Sequence, residues 1–297
     1  MSRKSIIKTI EMTISQKSVT LSYSRAGRCI YADKEIENLF IRLGFMSFDS
    51  IFDSGLGRDL PKSNMDSFRE RRQFAITLPG HDNSTRVFLK RYVRPPVFKQ
   101  LYNWLAHRRR GSFAMLEHYT ASVLSQNGVR TPHTLACGEQ WGFFFEKRSF
   151  LMIQEVCDSE SLDQSLPSYF DGRATAANLR LRRKFIRRLG VFIRRFHETG
   201  YRHRDLYFSH IFYSKSGKFC LIDLARAFKP IRRERYRIKD IAQLHYSTPA
   251  RYFSRTDRLR FYLAYAGRAR LEPNDKLFIR KVVGKIKQIL RHNRKQP

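Results

Sequence analysis

Apolar and polar positions alternate with a period of two through much of the first half of the chain, and with a helical period through most of the second. Val19-Thr20-Leu21-Ser22-Tyr23 alternates like a strand, Glu35 to Leu43 has the spacing of a short helix, and Gly55 and Gly57 mark a turn. Phe74 to Leu78 and Arg86 to Tyr92 predict two strands of a hairpin, with turn chemistry supplied by Pro79-Gly80-His81-Asp82-Asn83. Phe143-Phe144-Phe145 and Phe150-Leu151-Met152-Ile153 predict further strands of the same sheet.

Helical patterning begins at Ser112. Phe113, Leu116, Val123 and Leu124 keep helical spacing up to Gln126, with Ser112 as N-cap and Gly128 past the end. Asp158 to Asp171 is polar and predicts a connection with a short helix. From Asn178 to His197, Phe185, Ile186, Leu189, Phe192, Ile193 and Phe196 form one apolar stripe, and the arginines mostly fall off it. Arg237 to Tyr246, Thr256 to Gly267 and Asn274 to His292 predict three more helices. No internal repeat interrupts this order. Strands followed by helices predict an α+β fold of two lobes. Residues 1–155 would form a strand-rich, antiparallel lobe whose first sixty residues are poorly defined, and residues 156–297 a mainly helical lobe. The site would lie between them.

Composition adds two bounds. Hydrophobic residues make up 42% of the 297 and aromatics 13%, enough for a real core. The formal net charge is +32, which calls for polyanionic partners: nucleic acid, an anionic membrane face, or a substrate carrying phosphates or carboxylates. Cys29, Cys137, Cys157 and Cys220 are too scattered for a zinc site and fit reduced thiols. No apolar run resembles a signal peptide or reaches bilayer-spanning length, so membrane contact is expected to be peripheral.

The candidate chemistry lies in Tyr201-Arg202-His203-Arg204-Asp205-Leu206-Tyr207-Phe208-Ser209-His210 and in Leu221-Ile222-Asp223. A His-Arg-Asp loop after a long amphipathic helix, with an apolar-apolar-Asp segment following, predicts a protein-kinase-like phosphotransferase. Phosphoryl transfer needs one carboxylate to orient the attacking hydroxyl and another to hold magnesium on the phosphates of ATP. Asp205 takes the first role and Asp223 the second, while His203 and Arg204 support the loop. Lys90, on the strand Val87-Phe88-Leu89-Lys90, would neutralise the phosphates, and Glu117, on the next helix, would hold it by an ion pair. His210 stands where protein kinases place an asparagine for a second metal; it would contact metal or phosphate, or only brace the loop. No G-x-G-x-x-G precedes the hairpin. The arginines of Ser67 to Gln73, Arg72 among them, are expected to cover the phosphates instead.

Several stretches carry a family resemblance: the Lys90 strand, Leu116-Glu117 to Pro132, Gly138-Glu139, the loop from His203 to His210, and Leu221 to Ala227. Arg237-Ile238-Lys239-Asp240-Ile241-Ala242-Gln243-Leu244-His245-Tyr246-Ser247 and Thr256 to Phe261 are the most specific. Together these resemble the lipopolysaccharide kinase family, the bacterial inner-core sugar kinases that include heptose and Kdo kinases. The resemblance implies a protein-kinase-like fold and ATP- and Mg2+-dependent phosphorylation of a sugar hydroxyl. The acceptor would be the lipid A–core glycolipid at the cytoplasmic face of the inner membrane. It further implies that Asp240 braces the catalytic loop and that the backbone of Glu155, Val156 and Cys157 receives adenine. His210 is similar to the heptose-kinase branch, which makes heptose the expected acceptor. The basic surface would then hold an anionic membrane, with neither nucleic acid nor an obligate protein partner expected. A protein kinase of Ser/Thr/Tyr type, a non-catalytic kinase-like scaffold and a nucleic-acid binder are the other readings. The chain lacks the glycine loop and A-P-E segment of the first and the motifs of the last.

Overall fold

The sheet grows from the hairpin β4 (Arg69–Thr77) and β5 (Ser84–Val93), whose register sets Phe74 opposite Val87 and Arg71 opposite Lys90. The computed structural model describes residues 21–24, 27–31, 33–60, 66–170 and 175–293. Val19 and Thr20 of the first expected strand lie outside them, and β1 (Leu21–Ser24) carries the rest. With β2 (Gly27–Tyr31), β3 (Arg58–Asp59), β6 (Thr134–Trp141) and β7 (Glu146–Gln154), these strands form one antiparallel sheet in the order β1-β2-β6-β7-β5-β4-β3.

Two short helices cover the outer face of this sheet. α1 (Lys34–Arg42) and α2 (Phe48–Asp53) bring Ile36, Phe40, Phe48 and Ile51 onto Phe74, Ile76, Val87, Leu89 and Phe150. Each is started by a side-chain cap, Asp33 accepting from the Ile36 N–H and Ser47 from the Ser50 N–H. Burying each such aromatic or aliphatic side chain contributes about 1.5–3 kcal/mol. This part of the poorly defined N-terminal sixty residues therefore closes a core.

α3 (Val97–His107) and α4 (Phe113–Gln126) link β5 to β6. Ser112 caps α4 as expected, accepting from the Met115 N–H. The start of α4 packs on the sheet through Phe113 and Ala114, whereas Leu124, and Val129 just beyond its end, sit in the core of the helical half.

Phe143 to Phe145 was expected as a strand and is instead the turn of the β6–β7 hairpin; the strand begins at Glu146. Phe145 stacks on Trp104 and Phe143 faces solvent, so the run of three aromatics serves a turn and a surface. The strand β6 and the helix α3 were not among the expected elements.

The second half begins with β8 (Ser159–Ser161) and α5 (Leu162–Tyr169). The long α6 (Ala176–Glu198) buries the predicted stripe of Phe185, Ile186, Leu189, Ile193 and Phe196, with Phe192 only partly buried. β9 (Ile211–Ser214) and β10 (Phe219–Leu221) complete a small sheet ordered β10-β9-β8. α7 (Arg233–Ser247), α8 (Arg255–Ala266) and α9 (Pro273–Asn293) follow within a residue or so of most predicted ends, though α7 begins four residues early. Gly190 lets α8 approach α6: a Cβ there would lie 2.7 Å from the Phe261 carbonyl oxygen and 2.9 Å from Ala264 Cβ. α6, α7, α8 and α9 enclose an apolar cavity of about 360 Å³, walled by Leu189, Leu244, Ile279 and Val282 and edged by Arg255 and Arg258.

Candidate active site

A cleft of about 730 Å³ runs between the large sheet and the helical half, with Lys90, Arg71, Glu155, Val156, His210 and Asp223 in its walls. β5 carries Lys90 into it at 6% exposure. Its Nζ lies 2.5 Å from Glu117 Oε1, and the Tyr92 hydroxyl donates to Glu117 Oε2 over 3.2 Å. α4 brings Glu117 to this point because its first turn is pinned to the sheet. The Phe113 N–H donates to Glu146 on β7, and the Ala114 N–H to Ser149. Burial raises the Glu146 carboxyl to about 7, overcoming the hydrogen bonds that favour its ionised form. The buried Lys90–Glu117 pair matches the sequence expectation and leaves one ammonium aimed into the cleft.

Asp223 meets this ammonium from the other side. It follows β10 at φ +57°, in the left-handed region that a non-glycine residue adopts only under constraint. Its Oδ1 is 3.5 Å from Lys90 Nζ and 3.0 Å from Arg71 Nη2. His210 bridges the two acidic residues of the motif. Its Nδ1 lies 2.7 Å from the Asp205 carbonyl oxygen, so that nitrogen carries the proton and donates, while Nε2 stands 3.9 Å from Asp223 Oδ2. The Asp205 carboxylate accepts from Arg226 Nη1 over 2.8 Å. Lys239 also adjoins it, with a pKa that burial lowers despite that carboxylate.

The loop between α6 and β9 is held from beneath by Asp240 of α7, which is fully buried. Asp240 Oδ2 accepts from the His203 N–H and Oδ1 from the Arg204 N–H, each over 2.8 Å, and Oδ2 lies 3.2 Å from His197 Nε2. One carboxylate thus fixes two consecutive amides just before Asp205. His203 is buried, and its Nε2 donates to the Ile222 carbonyl over 2.9 Å. Desolvation lowers its pKa, which keeps the ring neutral. Arg204, at φ +71°, places its guanidinium over Tyr102 and Phe228. Both side chains support the loop; neither faces the cleft chemistry.

Two expected positions need correction. Residues paired across an antiparallel ladder share a face, so Arg71 stands beside Lys90 while Arg72 shares the outer face with Leu89. Arg72 binds Asp59 over 2.9 Å and the Ser54 carbonyl over 3.2 Å and does not itself line the cleft, though Asp59 does. Arg71 is the arginine that enters the site. Counting register from the hairpin turn would have found it. In the connecting segment, Glu155 and Val156 line the cleft, with Glu155 also bound to Arg86 over 2.7 Å. Cys157 is exposed and turned toward Thr85, outside the cleft wall. Arg226 gave no sequence signal, since its role depends on how the chain folds back after Asp223.

Among the described residues, no three His, Cys, Asp or Glu side chains converge as a metal cage. Asp223 draws two cationic side chains, and it offers a single carboxylate with His210 beside it. That donor set suits a hard cation whose coordination is completed by phosphate oxygens and water.

Comparison with known proteins shows the family and the fold. The protein is similar over 222 residues, at 28% identity, to the lipopolysaccharide core heptose(I) kinase WaaP of Escherichia coli, a match covering 70% of this chain and 80% of that one. It is 28% identical over 178 residues to the enzyme of that name from Pseudomonas aeruginosa, covering 57% of this chain and 60% of the other. A solved structure of WaaP in complex with acyl carrier protein superposes with a TM-score of 0.59 at 21% identity, covering 86% of this chain and 95% of that chain; the likeness shows the fold. The sequence profile of the lipopolysaccharide kinase (Kdo/WaaP) family matches residues 59–265. Lys90, Glu117, Asp205, Asp223 and Asp240 all fall inside that stretch, and the chain belongs to this family.

Proposed function

We propose that this kinase transfers the terminal phosphoryl group of ATP to a heptose hydroxyl of the lipopolysaccharide inner core. The observation that carries the reading is the meeting of Lys90, held by Glu117, with Asp223 across the cleft, next to a loop whose amides Asp240 fixes. Lys90 neutralises the inner phosphates. Asp223, with His210 beside it, would hold Mg2+, which when bound draws charge from the phosphate oxygens. Arg71 leaves Asp223 for the phosphates and does what a glycine-rich loop does elsewhere. The backbone of Glu155 and Val156, which line the cleft, receives adenine. Asp205 orients the acceptor hydroxyl and accepts its proton. Arg226, which holds Asp205 here, is placed to meet an anionic acceptor. The lobes that close on the nucleotide are residues 1–155 and 156–297.

The acceptor is anchored in lipid, so the enzyme works as a peripheral protein on the cytoplasmic face of the inner membrane. No helix among the described residues is long and apolar enough to cross a bilayer. The test is transfer of labelled phosphate from ATP to purified core glycolipid, with mass spectrometry locating the added group on heptose. Asp205→Asn should lower turnover by about 10²–10⁴-fold while nucleotide binding persists. Labelling of bulk protein in place of glycolipid would overturn the reading.

A protein partner also fits. The solved relative is held with acyl carrier protein, and the apolar cavity of the helical half has the lining that an acyl chain takes. Acylated carrier protein should raise the melting temperature of the wild type. It should not raise that of Val283→Trp, where a partly exposed wall residue is enlarged to fill the cavity mouth.

A further inference from the structure

α3 has an apolar face that nothing among the described residues covers. Val97, Phe98, Leu101 and Leu105 are 47%, 68%, 48% and 77% exposed. They recur at helical spacing on one side, opposite Gln100, whose buried amide is tied to the Pro95 and Glu146 carbonyls. A surface helix normally turns such a stripe inward. Here the inward contacts are made by Gln100 and Trp104, and the stripe points out.

Two further features adjoin it. Trp104 meets Trp141 at 6.0 Å and Phe144 at 5.7 Å, and Phe143 at the β6–β7 turn is fully exposed. Trp104 and Trp141 are both tryptophans of the chain. The helix runs into Arg108, Arg109 and Arg110, all exposed, and no acidic residue occurs from position 91 to 116. The Arg110 guanidinium lies over Trp141 at 4.7 Å and over Phe144 at 4.6 Å. Aliphatic side chains outermost, tryptophans beside them and arginines at the end are the arrangement of a helix lying in a membrane interface.

We infer that α3 and the Phe143–Phe144 turn dock the enzyme on an anionic lipid surface, with Phe98, Leu101, Leu105 and Phe143 entering the acyl boundary and Arg108 to Arg110 among the headgroups. The positive charge selects the occupant: a second copy of this basic chain would be repelled, whereas anionic lipid is attracted. The inference deepens the peripheral-membrane reading by naming the element that makes contact, and it rests on that reading. Tyr102 of α3 lies under the guanidinium of Arg204, the residue before Asp205, so the docked helix sets the catalytic loop close to the membrane.

The test uses the full-length protein and vesicles of phosphatidylcholine alone or mixed equally with phosphatidylglycerol. Flotation and tryptophan emission are read together, without nucleotide. The wild type should float with the anionic vesicles only, with a blue shift, and the triple variant Phe98→Ser/Leu101→Ser/Leu105→Ser should partition at least about tenfold more weakly. The variant's melting temperature and its turnover of a detergent-free core sugar should match the wild type. Equal flotation of variant and wild type would overturn the inference. So would a wild type that ignores anionic vesicles, or whose stripe instead mediates dimers or holds an acidic carrier protein in light scattering. Stripe-dependent flotation by a protein without phosphotransfer would leave the surface standing and sink the kinase reading alone.

Discussion

Arg71 Nη2 lies 3.0 Å from Oδ1 and 3.2 Å from Oδ2 of Asp223, so one guanidinium from the sheet covers the carboxylate of the helical half that is proposed to carry the metal. Cation and arginine compete for the same oxygens. Arg71→Ala should therefore bind Mn2+ more tightly than the wild type when no nucleotide is present. Its KM for ATP should nevertheless rise by roughly 10- to 100-fold, since hydrogen bonds to charged phosphates are lost. Arg72→Ala, one residue away on the outer face, should keep its KM within about threefold of the wild type. Steady-state kinetics and metal titration check both; equal effects of the two changes would remove Arg71 from the site.

Lys90 and Glu117 are 6% and 5% exposed, so removing one leaves the other a buried charge with only the weaker partner it retains, Asp223 at 3.5 Å for Lys90 and the Tyr92 hydroxyl at 3.2 Å for Glu117. Lys90→Met and Glu117→Gln should each lower stability, the former by about 3–5 kcal/mol, and the double variant should recover part of that loss. Activity should not recover, because the ammonium is gone. Denaturant titration of the four proteins gives the coupling energy, and additive losses would contradict a tight pair.

Glu146 makes the start of α4 sensitive to pH. Its carboxyl stands at about 7 in the fold against an ordinary 4.5. A value higher folded than unfolded gives stability that is complete below 4.5 and is lost as pH rises through 7. Glu146→Gln keeps an acceptor for the Phe113 N–H and carries no charge. Its advantage over the wild type should be absent near pH 4 and grow to the order of 3 kcal/mol by pH 8. Denaturation curves across that range test the sign, and a variant less stable at pH 8 than at pH 5, relative to wild type, would refute it.

The charge of +32 should appear as a salt effect confined to lipid-linked substrate. Raising ionic strength from 0.1 to 1 M shortens the screening length from about 10 to 3 Å. Turnover of lipid A–core in vesicles should fall steeply over this range and turnover of the free core sugar little. Parallel salt curves would show that the basic surface serves neither docking nor steering.

Much of this was legible in the chain, for local reasons. The stripe from Phe185 to Phe196 fixed α6, and the loop motif placed Asp205 and Asp223 because phosphoryl transfer needs those groups in that order. Lys90 and Glu117 were read from one strand and the helix taken to follow it, although α3 in fact lies between β5 and the α4 that carries Glu117. Among the arginines of Ser67 to Gln73, Arg72 was singled out over Arg71 because period two leaves the choice of face open until the partner strand is known. α3 was not predicted, although Val97, Phe98, Leu101 and Leu105 keep helical spacing, and nothing in that spacing tells that this side faces outward and Gln100 inward. The turn at Phe143 was misread for a similar reason: its rings serve a surface, where strand propensity has no say.

α4 touches the sheet with its first turn and the helical core with its last, Phe113 and Glu117 belonging to one half and Leu124 to the other. A rod clamped at both ends cannot follow two bodies that separate freely. Any gaping of the cleft has to bend this helix or release one of its ends; Thr120, whose hydroxyl bonds the Leu116 carbonyl one turn back, lies between the two contacts. The helix thus ties the sheet to the helical core as one strut, and a glycine at Thr120 should loosen that tie without touching a proposed catalytic group.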